Sequence, residues 1–174
     1  MSQLTIPVSA HDHIQGDQSA AVTLVEYGDY ECPYCTRAHP VLKRVQQQFG
    51  SDLRFVFRNF PLKELHPHAE IAAEAAGFAG AAGRFWEMHD GIYERKADLS
   101  EALLIELAQS LDLSEPNLRD ALQRHEFADR VRADFVGGVR SGVNGTPTCF
   151  INDRRYDGPI EFDDLVSAVV MRAS

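Results

Sequence analysis

The stretch VEYGDYECPYC, residues 25–35, joins the end of an apolar run to two cysteines separated by a Pro-Tyr pair. The longer segment VTLVEYGDY (22–30) is β-rich and mostly apolar up to Gly28, which suits a buried strand. From Pro33 to Phe49 the reading is helical: Val41, Val45 and Phe49 recur four apart, and Gly50 follows where a helix C-cap favours it. Pro33 suits the first helical turn because it has no N–H to leave unpaired, and Pro40 predicts a kink. LRFVFRNF (53–60) alternates Leu53, Phe55 and Phe57 with Arg54 and Arg58, so it reads as a second strand. Strand, helix and strand in about forty residues make a βαβ unit with parallel strands. Cys32 and Cys35 therefore sit at a strand-to-helix junction, where the spacing alone is compatible with a metal clamp, a structural disulfide or an exchanging thiol pair.

The chain changes character after His66. HAEIAAEAAGFAGAAG (68–83) is an Ala/Gly-rich helix able to approach its neighbours closely, and RFWEMHDGIYER (84–95) supplies the bulk it lacks. Ser100 and Ser114 are expected N-caps of two short helices, and 126–142 is a last helix that Gly137-Gly138 should weaken. β character returns with PTCFI (147–151), a tight turn at Asn152-Asp153 and RRY (154–156). EFDDLVSAVVMR (161–172) closes as an amphipathic helix with Phe162, Leu165, Val169 and Val170 on its apolar face. The order is βαβ, a helical block, then ββα.

The 174 residues are 44% hydrophobic and 25% charged, which fits one well-packed domain with an insertion better than two separate cores. The net charge of −9, with only the pairs Lys43-Arg44 and Arg154-Arg155 as local basic clusters, argues against a nucleic-acid or anionic-membrane surface. No run approaches a membrane span, and the first twenty residues carry neither a basic segment nor an apolar one, so a cytoplasmic location is expected. Three cysteines do not make a structural disulfide framework in such a protein. A zinc site needs two further ligands, and no second Cys-x-x-Cys exists.

βαβ followed by ββα, with Cys-x-x-Cys opening the first helix, resembles the thioredoxin fold, and the helical block resembles the insertion of its DsbA-like branch. The likeness runs from about residue 20 to 172, with VEYGDYECPYC and GVNGTPTCFIN as its most specific parts. It implies an α/β protein with a central mixed sheet: residues 1–61 and 143–174 form the thioredoxin-like domain, and 62–142 form the inserted helical one. It also implies thiol:disulfide oxidoreductase chemistry on protein or small-molecule disulfides. Cys32 would be the nucleophile, favoured as thiolate by the helix N-terminus, and Cys35 the resolving thiol. Glu26, six residues before Cys32, matches the family's buried carboxylate and would accept the Cys35 proton. Thr146-Pro147 matches the family's cis-proline facing the cysteines, and Pro33 and Tyr34 complete the active-site loop. No cofactor is implied beyond glutathione or another thiol as co-substrate, and no nucleic-acid or membrane partner; the oligomeric state stays open.

Strongly oxidising DsbA proteins carry His where this chain has Tyr34, and Asp29 and Glu31 add negative charge, so a milder couple is expected. In a reducing compartment the dithiol would be the resting form. The rival readings are a glutathione-dependent transferase or isomerase of the same architecture and a non-catalytic redox sensor or peptide-binding module. Cys149 reads as a small buried hydrophobe. His39, His66, His68 and His89 read as loop polarity, caps or substrate contacts rather than a metal site, His11-Asp12-His13 as a solvated segment, and Phe85, Trp86 and Tyr93 as core of the helical block.

Overall fold

β2 (Val22–Gly28) is the middle strand of the sheet in the computed structural model of the chain, which describes residues 2–173. It pairs in parallel with β3 (Leu53–Asn59) and antiparallel with β4 (Thr148–Ile151). β1 (His13–Gln15) flanks β3 and β5 (Arg154–Tyr156) flanks β4, giving the mixed order β1-β3-β2-β4-β5. Every β2 residue except Thr23 is buried, because both sheet faces are covered. Leu24, Phe55, Phe57, Cys149 and Ile151 join the larger core beneath α1 (Pro33–Phe49), α3 (Phe85–Glu94) and α7 (Phe162–Ala173). Val25, Tyr27, Val56 and Phe150 face the other way, with Leu4, Phe60 and Val143.

The five helices between β3 and β4 form the expected block. In α2 (Ala69–Ala81) the buried face is almost all alanine, which lets α3, α5 (Glu115–Gln123) and α6 (Ala128–Arg140) lie close around it. Ser100 and Ser114 cap α4 (Glu101–Ser110) and α5, each hydroxyl accepting from the backbone N–H three residues on. Asn152 and Asp153 adopt positive φ at the β4–β5 turn.

Several local expectations shift. The buried stripe of α1 is Cys35, Ala38, His39, Leu42 and Val45; of the Val41–Phe49 series Val45 lies in it, and Val41 and Phe49 pack half-buried against its core. Val170 is 52% exposed, and Ala168 takes its place on the inner face of α7. Arg58 is buried rather than solvent-facing, because residues 6–12 cross over it. Its guanidinium donates to Asp12 (2.8 Å), the Ile6 carbonyl (2.8 Å) and the Tyr27 hydroxyl (3.0 Å). His11-Asp12-His13 is accordingly not a solvated segment: Asp12 is buried in that ion pair, and His13 starts β1 with its ring stacked 3.6 Å from Phe85. Burial holds the His13 ring neutral, with a pKa of about 4. Gly137 and Gly138 do not interrupt α6; a Cβ at Gly138 would stand 2.7 Å from the Phe60 ring, so they permit close approach to the sheet.

Candidate active site

The β2–α1 junction places both cysteines. Cys32 is the N-cap of α1 with extended backbone, Pro33 follows at the first helical position, and Cys35 lies within the first turn. Opposite them, the Thr146-Pro147 peptide is cis, and the Cys32 thiol donates to the Thr146 carbonyl at 3.4 Å. Cys35 accepts from the Asp29 N–H at 3.5 Å. Cys32 is 3% exposed and Cys35 0%, so only the first reaches the surface at all.

The two thiols are driven apart electrostatically. Cys32 is lowered to about 5, chiefly by a hydrogen bond from the Cys35 thiol that outweighs its own burial, with further help from Thr146 and the backbone N–H groups of Cys35 and Tyr34. Cys35 is pushed well above the ordinary thiol range by burial, by donating to Cys32, and by the charges of Glu26 and Cys32. Glu26 lies beneath the pair, 1% exposed, its Oε1 without a hydrogen-bond partner. Burial first, and the Cys32 charge second, raise it to about 8. One group thus carries negative charge near neutrality while two hold protons.

Tyr34 is 62% exposed, its ring under the Arg37 guanidinium at 4.8 Å, and it supports Cys32 through its backbone alone. Asp29 and Glu31 depart from the sequence argument. Asp29 is buried and accepts from the N–H groups of Glu31 and Leu62 and from His66 Nδ1, each at 2.8 Å. Glu31 accepts from the His68 N–H (2.7 Å) and Nδ1 (3.1 Å). Both carboxylates tie the active-site loop to the 61–68 loop, and neither ranks among the largest influences on Cys32. An open, mainly apolar groove of about 780 Å³ runs past the outer side of that loop, between Leu62, Leu65, Val131 and Phe135.

Cys149 faces Glu26 across the β2–β4 ladder, buried and pushed well up by desolvation and the Glu26 charge. It is the small buried hydrophobe expected. His39 and His89 lie between α1 and α3, and with Asp90 they form, among the described residues, the one group whose donor atoms fall within 4.8 Å of one another. The other Asp90 oxygen is paired with Lys43 and His89 Nδ1 shares a 2.9 Å hydrogen bond with Tyr30, so these donors already serve the protein. Phe85 and Tyr93 are not core of the helical block alone: Tyr93 packs at 5.0 Å from Tyr30 and 4.9 Å from His39, beside the cysteines. Sequence reading missed Tyr30, took Asp29 only as negative charge and Tyr93 only as core; the fold brings Tyr93 to the site and the 61–68 loop to Asp29.

Comparison with known proteins matches this arrangement. A family model described as thioredoxin matches residues 9–170. Among curated relatives, Na(+)/H(+) antiporter NhaA 1 of Salinispora arenicola is 42% identical over 95% of this chain, and NhaA 3 of Salinispora tropica 41% over 96%. The chain spans 26% of the length of each, about a quarter. No helix among the described residues is long and apolar enough to cross a membrane. Among solved structures, BdbD from Bacillus subtilis superposes with a TM-score of 0.88 at 24% identity, covering 99% of this chain and 98% of that one. α-DsbA1 of Wolbachia pipientis gives 0.84 at 17% identity, with 98% and 94% covered. A thioredoxin-like oxidoreductase from Silicibacter pomeroyi gives 0.79 at 25%, with 95% and 93% covered. The fold is therefore the thioredoxin fold with the helical insertion of the DsbA type.

Proposed function

The chain belongs to the thioredoxin family, and from that premise we propose that it is a thiol:disulfide oxidoreductase working through Cys32 and Cys35 on protein or small-molecule disulfides. The observation that carries the reading is the split between the two thiols: Cys32 ionises at about 5 at the rim while Cys35, sealed behind it, keeps its proton.

The Cys32 thiolate attacks a substrate disulfide, forms a Cys32–substrate disulfide and expels the first substrate thiolate. Loss of the Cys32 charge removes one of the two causes that raise Glu26, so the carboxyl ionises more readily at that moment. Glu26 gives its own proton to water or to the departing substrate thiolate and, as a carboxylate, then takes the Cys35 proton. The Cys35 sulfur attacks Cys32 Sγ, the Cys32–Cys35 bond forms, and the second substrate thiolate leaves. The substrate has gained two electrons and the cysteine pair has lost them. Glutathione or another thiol returns the pair to the dithiol. The backbone at Thr146, 3.4 Å from the nucleophile, is the place for an extended substrate segment to align.

Stabilising the thiolate stabilises the reduced pair, so in a cytoplasm poised by glutathione the resting form is the dithiol. This reading includes that compartment and net reduction or isomerisation as its direction. The test is turnover of a protein disulfide with dithiothreitol or glutathione present. Wild-type protein should be much faster than Cys32→Ser, and equal rates would overturn the proposal. Cys35→Ser should trap the mixed disulfide; full activity without Cys35 would point to a transferase instead.

A further inference from the structure

Glu26 must pass on the proton it takes from Cys35, yet it is 1% exposed and Cys35 is 0%. Tyr93 reaches the same buried space from α3. Its hydroxyl stands 3.0 Å from the point where a Cβ on Gly28 would project, and Gly28 shares a strand face with Glu26, two residues away. The charges of Cys35 and Glu26 both act on that hydroxyl. Tyr93 OH is buried with no hydrogen-bond partner, as are Glu26 Oε1, Thr146 Oγ1 and His39 Nε2. Unpaired buried polar atoms are rare enough that each needs a reason; Asn59 Oδ1 and Glu74 Oε2 share that state, whereas Tyr93 and His39 are stacked on one another beside the cysteines.

His39 packs against Tyr93. Its ring stacks on Tyr93 with centroids 4.9 Å apart. Its Nε2 lies 3.4 Å from Asp90 Oδ1, near enough to share charge when protonated but not hydrogen-bonded. Lys43, ion-paired to the second Asp90 oxygen, and the neighbouring His89 oppose a lasting positive charge on the ring. On its outer side His39 lines an open groove of about 400 Å³ with Thr36, Pro40, Lys43, Tyr93 and Glu94. His39, with Tyr93, thus borders both the buried space and the groove.

We infer that Tyr93 and His39 form the proton path of the site: the proton that Glu26 takes from Cys35 leaves through the Tyr93 hydroxyl and the His39 imidazole into the groove between α1 and α3, and re-enters by the same route. This rests on the exchange chemistry proposed above. Tyr93 OH is hydrogen-bonded to neither neighbour in the resting fold, so the side chains must turn toward one another for the proton to pass; each passage is then neutral in sum, since Tyr93 accepts one proton as it gives one up, and His39 does the same with its two ring nitrogens. The proton ends on water or on the departing substrate thiolate. Tyr93 and His39 touch neither substrate nor sulfur in this scheme; they act through Glu26.

An aromatic disulfide reagent such as Ellman's separates the steps, because attack by Cys32 releases one coloured thiolate and resolution by Cys35 a second. Tyr93→Phe, which removes one oxygen and keeps the stacking, should leave the first release unchanged and slow the second about tenfold, below the 10²–10⁴ of a direct acid–base group. His39→Gln should do the same, and in His39→Ala added imidazole should restore the second phase through the open groove, a response that a purely structural role would not give. Combining Tyr93→Phe with Glu26→Gln should slow resolution no further than Glu26→Gln alone. Second-phase rates within twofold of wild type for both Tyr93→Phe and His39→Gln between pH 5 and 9 would overturn the path. Failure of the wild type to show any second release would instead sink the oxidoreductase reading itself.

Discussion

Replacing Cys35 by alanine removes the largest single support of the Cys32 thiolate, the hydrogen bond from the Cys35 thiol. A hydrogen bond to a charged group is worth about 1.5–3 kcal/mol. At about 1.4 kcal/mol per unit, the Cys32 midpoint should rise by about 1–2 units from its value of about 5. The wild type should titrate as one sigmoid in thiolate absorbance and in alkylation rate, because burial pushes Cys35 and Cys149 far above the range. Cys35→Ala should move that sigmoid to between about 6 and 7, and Cys35→Ser, which keeps a donor, should stay near the wild type. The redox consequence is direct. At pH 7 a thiol ionising at about 5 rather than 9.0 stabilises the reduced pair by about 2.7 kcal/mol, on the order of 60 mV. A wild-type midpoint near 9, or a Cys35→Ala midpoint still at about 5, would refute the attribution.

Glu26 sets a pH dependence of opposite sign. Its folded pKa of about 8 lies above the ordinary 4.5, so its contribution to stability is complete below about 4.5 and is lost as pH rises towards 8. In the disulfide form Cys32 cannot titrate and no longer adds to the rise of Glu26, so denaturant unfolding should show stability falling by up to about 1.4 kcal/mol per pH unit from about 4.5 upward, over a window that closes below about 8; Glu26→Gln should flatten the profile, and coincident profiles would count against the assignment. Gly138→Ala should cost about 1–3 kcal/mol by overpacking against Phe60, whereas Gly145→Ala, with nothing within 4 Å of the added carbon, should be near neutral; equal effects would show that close approach is not what Gly138 provides. Asp12→Ala leaves the buried Arg58 guanidinium without its carboxylate and should lower unfolding free energy by about 3 kcal/mol. A loss below about 1 kcal/mol would mean that the carbonyls of Ile6 and Pro7 suffice for Arg58.

What sequence reading found is what local chemistry encodes. Ser100 and Ser114 cap helices through their own hydroxyls, Asn152-Asp153 turns through its own backbone, and the apolar run 22–28 reads as a strand because both its faces are covered. The misses share a cause, since each depends on a segment far away in the chain. β1 is three residues long, too short to show a period of two, and exists because it pairs with β3. Arg58 alternates like an outward residue, but residues 6–12 fold over it. Gly137-Gly138 look like helix breakers until Phe60 and Tyr27 are placed against them. In the site, the Cys32/Cys35 pair is visible in the sequence and Glu26 and Pro147 enter through the family resemblance, whereas Tyr93, fifty-eight residues beyond Cys35, enters only through the packing of α3 on α1.

Glu26 and Asp29 show why spacing and burial together still do not assign a role. Both carboxylates are 1% exposed, both belong to the strand-to-helix segment that carries the cysteines, and both would be counted as negative charge near Cys32 from sequence alone. Their surroundings differ in donors. Asp29 receives three hydrogen bonds, two of them from the far loop, so its oxygens are committed to holding the active-site loop against residues 62–66. Glu26 has an unpaired oxygen and apolar walls, which is the setting that raises a carboxyl towards neutrality and lets it exchange a proton as the charge on Cys32 comes and goes. The same residue type, equally buried, is a fastener when donors surround it and an acid–base group when they do not. Asp29→Asn and Glu26→Gln should therefore fail differently. The first should loosen the 61–68 loop, seen as faster hydrogen exchange there, while the second should leave that loop protected and slow only the resolving step. Loss of loop protection in Glu26→Gln would collapse the distinction.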